Sequence, residues 1–297
     1  MARLFLIDGS NQMYRAYHAI RGLTGPDGKS TNAVYGFTTM LKKLIADHNP
    51  EYIAASFDLK GPTFRSDLAA DYKANRSPMP PDLAEQIPWV HEACEALGVF
   101  ILTSERFEAD DVIGTLTERH RGVMPVDIVT GDRDLLQLVD DAHGIRVLYT
   151  GKGGVREPDV ATQSYLLERY AVPTGDAYAD MSILRGDTSD GLPGVKGIGD
   201  KTAAQLIATY GSLEGLRAAV AAGDPSLRGA RRTNLEAAAA YLDVAPTVVR
   251  VARDAPVADV DLALPRAVAD PERLDRLATE YAVTNPVTRL LTALALA

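Results

Sequence analysis

"LFLIDGSN" occupies residues 4–11. Its apolar run reads as the end of a buried strand over residues 3–7, with Asp8 directly after it. The arrangement recurs. "YIAASF" (52–57) leads into Asp58, and "VDIVT" (126–130) leads into Gly131, Asp132 and Asp134. Helix-like stretches at 34–48 and 83–98 separate the strands, and "VFIL" (99–102) and "IRVLY" (145–149) are read as further strands. Strands alternating with helices define an α/β fold built on a buried parallel sheet. Residues 61–82 are polar and proline-rich, an excursion from the sheet. From about residue 155 the pattern is helical, with a helix expected over 231–245, an extended stretch over 247–264 and helix again from 271.

The chain has 297 residues, 46% hydrophobic and 24% charged, enough for one large domain or two joined parts. The N-terminus has too few apolar residues before Asp8 for a signal-peptide core. No stretch approaches the roughly 18 apolar residues of a membrane span. The single cysteine, Cys94, excludes an intramolecular disulfide framework and a multi-cysteine zinc site, and reads as a small apolar group on a helix. The five histidines show no ligand spacing. "LTGPDGKST" (23–31) imitates a phosphate-binding P-loop, but Leu23 stands where that pattern needs glycine. The net charge of −9 opposes non-specific nucleic-acid binding unless the acids are gathered at one place, leaving a basic track elsewhere.

The acids are indeed grouped. Beyond Asp8, Asp58, Asp132 and Asp134, the sequence places Glu108, Asp110 and Asp111 at the head of a helix in "FEADDVIGTL", and Asp187 and Asp190 in "RGDTSDG". Singly, each has a structural explanation as a helix cap, a turn residue or a partner of the helix dipole. Ligand sites in open α/β sheets lie beyond the carboxyl ends of the strands, where several of these acids would meet. Carboxylates brought together repel unless cations hold them, and hard divalent ions prefer oxygen ligands.

Phosphate-attracting chemistry follows at once. "LPGVKGIGDKTAAQLIATYG" (192–211) is read as a helix–hairpin–helix. Gly194, Gly197 and Gly199 would let the backbone approach a ligand, the next helix would offer free N–H groups, and Lys196 and Lys201 add charge. Such a motif contacts backbone rather than bases. A second basic group, Arg65, Tyr72, Lys73 and Arg76, lies in the excursion. Lys73 and Arg76 would share a face if helical, and Tyr72 could stack on a base. Arg15 lies just after the Asp8 turn.

These stretches resemble the 5′-nuclease family, the flap endonucleases and the 5′–3′ exonuclease domain of bacterial DNA polymerase I. The matching segments run in family order from residue 3 to about 212, and a weaker likeness extends to about 264. The resemblance implies a PIN-like parallel-sheet nuclease core over residues 1–180, including a helical arch at about 61–95. A helix–hairpin–helix region with C-terminal helices would occupy 181–297. It implies two divalent cations, Mg²⁺ or Mn²⁺. Asp8, Asp58, Glu108 and Asp110 would mainly hold one ion, and Asp111, Asp132, Asp134, Asp187 and Asp190 the second or its shell. Lys73 and Arg76 would contact the scissile phosphate, and Arg15, Arg65 and Tyr72 would join the DNA contacts. The hairpin would grip duplex DNA with K⁺ held by backbone carbonyls.

The expected function is structure-specific hydrolysis of DNA near 5′ flaps, nicks, gaps and 5′ ends in replication and repair, with RNA/DNA hybrids as further substrates. The protein is expected to be a cytoplasmic, nucleoid-associated monomer without a polymerase. A HAD-type phosphatase would need a second aspartate where Ser10 stands. The remaining alternative is a non-catalytic, structure-specific DNA binder.

Overall fold

The computed structural model describes residues 2–295. Six strands form one sheet: β1 (Leu4–Asp8), β2 (Tyr52–Ser56), β3 (Phe100–Leu102), β4 (Val126–Thr130), β5 (Ile145–Tyr149) and β6 (Asp159–Ala161). Their order is β3-β2-β1-β4-β5-β6. The first five run parallel and β6 is antiparallel to β5. Three-residue β6 is too short to show a period in the sequence. The chain winds from β1 outward to β3, then returns to the other side of β1 with β4. The direction of winding therefore reverses between β1 and β4, which is where open α/β sheets bind their ligands.

Thirteen helices occur among the described residues: α1 (Gly9–Ala19), α2 (Asn32–His48), α3 (Phe64–Leu68), α4 (Pro81–Leu97), α5 (Ala109–His120), α6 (Gln163–Tyr170), α7 (Gly175–Arg185), α8 (Asp200–Tyr210), α9 (Leu213–Ala222), α10 (Gly229–Ala237), α11 (Ala239–Val249), α12 (Pro271–Glu280) and α13 (Thr284–Ala293). Alternation along each strand sends neighbouring side chains to opposite faces. Leu4, Leu6, Ile128 and Val147 join Val112, Met181, Leu206 and Leu242 from α5, α7, α8 and α11. Phe5, Ile7, Ile53 and Leu148 join Leu41, Val90, Leu274 and Leu290 from α2, α4, α12 and α13. Two cores thus sandwich the sheet, and the final two helices lie on the second face. No described helix is long and apolar enough to cross a membrane.

Several boundaries depart from the sequence reading for physical reasons. Helix α2 begins two residues early because Gln86 of α4 accepts hydrogen bonds from the Ala33 and Val34 amides at 2.8 and 3.3 Å. That cap is supplied from another element. The helix expected over 231–245 is two helices broken at Ala238, whose ψ is 5°. The break lets Asn234 donate to the Lys196 carbonyl while Tyr241 donates to that of Ile183, both at 2.9 Å. The stretch expected to be extended from 247 stays helical to Val249. Beyond it, Leu262 and Leu264 pair with the start of β2, where short β3 leaves the strand uncovered.

The excursion at 61–80 carries the five-residue α3 and then turns, and Lys73 has a left-handed φ of 56°. Lys73 and Arg76 therefore do not share a helical face. This segment is a strap across the carboxyl edge of the sheet, and α4 starts only at Pro81.

Within the sheet, fully buried Asp127 is clamped by Arg3 at 2.6 Å and Arg146 at 2.7 Å. Asp127→Ala leaves both guanidiniums without their acid and is expected to cost about 3 kcal/mol. Urea denaturation of the purified variant checks this.

Candidate metal centre and nucleic-acid interface

Asp8 ends β1 and caps α1, accepting from the Asn11 amide at 3.0 Å and the Thr130 hydroxyl at 2.6 Å. It is only 3% exposed. Across the reversal point, the turn after β4 folds on itself: the Thr130 hydroxyl accepts from the Asp132 amide, and the Asp132 carboxylate accepts from the Asp134 amide, both at 2.9 Å. Asp110 sits in the first turn of α5. Asp58 reaches the same helix end from β2, accepting from the Ala109 amide at 2.8 Å. The Asp58 amide in turn donates to the Ser10 hydroxyl at 2.9 Å.

Asp8, Asp110, Asp132 and Asp134 are brought into mutual repulsion. Burial first, then Asp58 and Asp132, push Asp8 up to about 7 against the pull of its hydrogen bonds. Burial and the charges of Asp132, Asp190 and Asp187 push Asp134 up to about 7. Burial, with Asp132 and Asp8, raises Asp110 well above the carboxylate range although Lys73 opposes it. Asp187 behaves differently: burial would raise it, but hydrogen bonds from Ser189 and the Arg133 guanidinium hold it below its ordinary value.

Two residues expected at the ligand are instead bound to each other. Arg65, 2% exposed, forms a two-pronged pair with fully buried Asp111 at 2.6 and 2.7 Å. It also donates to the carbonyls of Val248 and Arg250 at 2.7 and 3.1 Å. Asp111 further accepts from the Glu108 and Ala252 amides at 2.9 and 2.7 Å. With its oxygens filled by four donors and closed from solvent, Asp111 ties α5 to the strap and the segment after α11. Arg65 has no donor directed at solvent. In this structure both tie scaffold elements together, and the Arg65 guanidinium also stands 3.7 Å from the Glu108 carboxylate and lines the acidic cavity.

The strap closes against the acids. Lys73 pairs with Glu108 at 2.8 Å, and the Tyr72 hydroxyl donates to the same carboxylate at 3.1 Å. Tyr72 is therefore not free to stack on a base in this arrangement. Arg76 pairs with Asp190 at 2.6 Å, and the Lys73 amide donates to the Asp190 carbonyl at 3.0 Å. Gly191, at φ 77°, passes so close to Asp71 that a Cβ would lie 2.0 Å from its carbonyl oxygen. Beneath the strap, Glu108, Asp110, Asp134, Asp187 and Asp190 line a cavity of about 20 Å³, room for about one water-sized body. Arg15 lies beside this edge, donating to the Thr150 and Gly151 carbonyls at 2.6 and 3.0 Å.

On the other side, α7, the glycine turn and α8 form the hairpin, with Val195 and Ile198 anchored in the core. Gly194 is buried: at φ 65°, a Cβ would lie 2.4 Å from the Arg185 carbonyl oxygen, so its role is close packing rather than ligand approach. Lys196, Gly197, Gly199 and Lys201 are exposed. Two cations that no sequence motif marks stand at this edge: Arg133, which pairs with Asp187, and Arg185, which pairs with Asp200 at 3.1 Å. Arg133 lies inside the acidic "GDRD" turn, between Asp132 and Asp134.

The donor set fits hard cations. Its ligands are carboxylate oxygens, and their repulsion is the kind a cation relieves. Among the described residues no three acids close into a ready-made coordination shell.

An open parallel sheet with acids beyond its strand ends, joined to a glycine-turned helical hairpin, defines the nuclease-type α/β class. The chain belongs to the 5′–3′ exonuclease family: residues 3–171 match its N-terminal resolvase-like domain and 173–270 its C-terminal SAM fold. It is 44% identical to a 5′–3′ exonuclease of Streptomyces coelicolor over 97% of this chain and 99% of that one. It is 42% identical to DNA polymerase I of Mycobacterium bovis over 92% of this chain but 30% of that one. Its fold also matches the bacteriophage T5 D15 flap endonuclease in a complex with DNA and metal ions, with a TM-score of 0.66 at 17% identity, covering 99% of this chain and 98% of that one.

Two outcomes follow from the electrostatics. Asp8 and Asp134 bind protons more tightly folded than unfolded. Their contribution is therefore full below about pH 4 and lost as pH rises through about 7. The melting temperature of the metal-free protein should fall between about pH 5 and pH 8, and Mg²⁺ should raise it more at the higher pH. Calorimetry in EDTA and in Mg²⁺ checks both. Asp132→Asn should stabilise the metal-free protein by relieving repulsion, whereas Asp111→Asn should cost about 3–5 kcal/mol by leaving Arg65 poorly matched; urea unfolding separates them.

Proposed function

We propose that this protein is a structure-specific 5′ nuclease that hydrolyses DNA phosphodiesters near 5′ flaps and 5′ ends. The observation that carries the reading is the convergence of Asp8, Asp110, Asp132 and Asp134 at the reversal point of the sheet, flanked by Lys73 and Arg76. Asp8, Asp58, Glu108 and Asp110 would hold mainly one divalent ion, and Asp132, Asp134, Asp187 and Asp190 the second or its shell. Bound there, Mg²⁺ or Mn²⁺ would supply a water of lowered pKa and stabilise the leaving 3′ oxygen.

The chain's own groups do the rest. Lys73 and Arg76 exchange carboxylate partners for the scissile phosphate and stabilise its charge in the transition state. Lys196, Lys201 and the exposed N-terminus of α8 hold duplex backbone without reading bases, with K⁺ at the hairpin carbonyls as an added anchor. The acidic net charge then reflects the metal site more than the DNA-facing surface. We place the protein in the cytoplasm at the nucleoid, acting as a monomer on flapped, nicked and gapped DNA and on RNA/DNA hybrids.

A 5′-labelled flap duplex tests this. Mg²⁺-dependent release of flap fragments, abolished by Asp132→Asn, is expected; tight binding without cleavage in Mg²⁺ or Mn²⁺ would leave a non-catalytic DNA binder. Lys73→Ala and Arg76→Ala should each slow single-turnover cleavage by about 10²–10³-fold while affinity for the duplex changes far less.

A further inference from the structure

Asp187 and Asp190 line the acidic cavity just beyond α7, and each already carries a guanidinium. The two pairs are not equivalent. Arg76 places both of its donors, at 3.0 and 2.6 Å, on one oxygen of Asp190, and among the described residues no donor reaches the other oxygen. Asp187 has neither oxygen spare. Its Oδ1 accepts from both the amide and the hydroxyl of Ser189, and its Oδ2 accepts from Arg133. The cations at this edge thus pair with Glu108, Asp187 and Asp190, and among the described residues none forms an ion pair with Asp8, Asp58, Asp110, Asp132 or Asp134.

This difference decides what an incoming ion must displace. A carboxylate oxygen has two lone-pair sites, so the two Ser189 donors fill Oδ1 of Asp187. A cation can reach this carboxylate only through Oδ2, where Arg133 sits. A divalent ion and a guanidinium on one oxygen repel each other. Arg133 is placed to yield. Its side chain is 44% exposed against 17% for Asp187, so rotation of one side chain frees the oxygen. The Tyr178 hydroxyl, buried and without a hydrogen-bond partner, lies near enough for its charge to act on Arg133. It is an unused acceptor beside the guanidinium.

We propose that Arg133 stands in for the second divalent ion at Asp187 and is exchanged for it when that ion enters. The inference rests on the nuclease reading and adds to it a positioning residue that sets the order in which the ions load. The first ion meets no guanidinium on Asp8, Asp58 or Asp110. The second gains Asp187 only at the expense of the Arg133 pair, and so binds more weakly. Arg76 need not move, because Asp190 keeps a free oxygen.

Calorimetry with Mn²⁺ at one fixed pH compares wild type, Arg133→Ala and Arg185→Ala. Arg185 lines the same cavity and its removal costs the same charge, but it pairs with Asp200 rather than Asp187. Arg133→Ala should tighten the weaker ion about five- to tenfold, while Arg185→Ala should move neither ion by more than about twofold. Circular dichroism verifies that both variants are folded. A second readout uses wild-type protein carrying nitrogen-15 arginine, titrated with Mg²⁺. The side-chain Nε–Hε signal that is missing from Arg133→Lys should shift along the weaker binding curve and not along the tighter one. Equal tightening by Arg185→Ala overturns the exchange and indicates general charge alone. An Arg133 signal that follows the tighter ion, or neither ion, overturns it as well. Wild-type protein that binds two ions with affinities indifferent to Arg133→Ala refutes only the exchange. Wild-type protein that binds no Mn²⁺ up to millimolar ion refutes the nuclease reading with it.

Discussion

Asp8, Asp110, Asp132 and Asp134 share one end of one sheet with too little positive charge between them. Lys73 opposes the charge at Asp110 and Arg133 that at Asp134, yet burial and mutual repulsion still leave Asp8 and Asp134 at about 7. A fold that only had to be stable would not gather these groups. Isolated charges in a protein interior are costly, and natural chains tolerate them where a ligand completes the balance. The rest of the architecture can be read as what keeps this unfavourable cluster in place.

The sheet does most of that work by topology. Reversing direction between β1 and β4 puts two strand ends side by side, so Asp8 and the Asp132–Asp134 turn meet at the crevice between them. The Arg65–Asp111 pair does the remainder. A single guanidinium joins the strap, the head of α5 and the chain after α11, fixing the helix end that carries Glu108 and Asp110. On the ligand side, the ion pairs of Lys73 and Arg76 with Glu108 and Asp190 hold cations within reach of phosphate.

The sheet and the acids were legible because their determinants are local. An apolar run ending in aspartate gives both the strand and the group at its tip, and a run of glycines between apolar anchors gives the hairpin. What escaped the sequence depends on partners far along the chain. Asp111 looks identical to Asp110 in "EADD"; only the approach of Arg65, 46 residues away, makes one a scaffold and leaves the other with the acids. Gly194 resembles its neighbours, yet it serves packing against Arg185 rather than approach to a ligand. The break at Ala238 and the start of α2 are set by hydrogen bonds from other elements.

Calorimetric titration of the metal-free protein with Mn²⁺ or Mg²⁺ at a pH just below 7, where Asp8 and Asp134 still hold protons, tests the central claim most directly. Saturable binding of two ions per chain is expected, with proton release as the raised carboxyls ionise, and flap cleavage should rise with the same occupancy. Cleavage that persists in excess EDTA, or the absence of saturable binding up to millimolar ion, would contradict it.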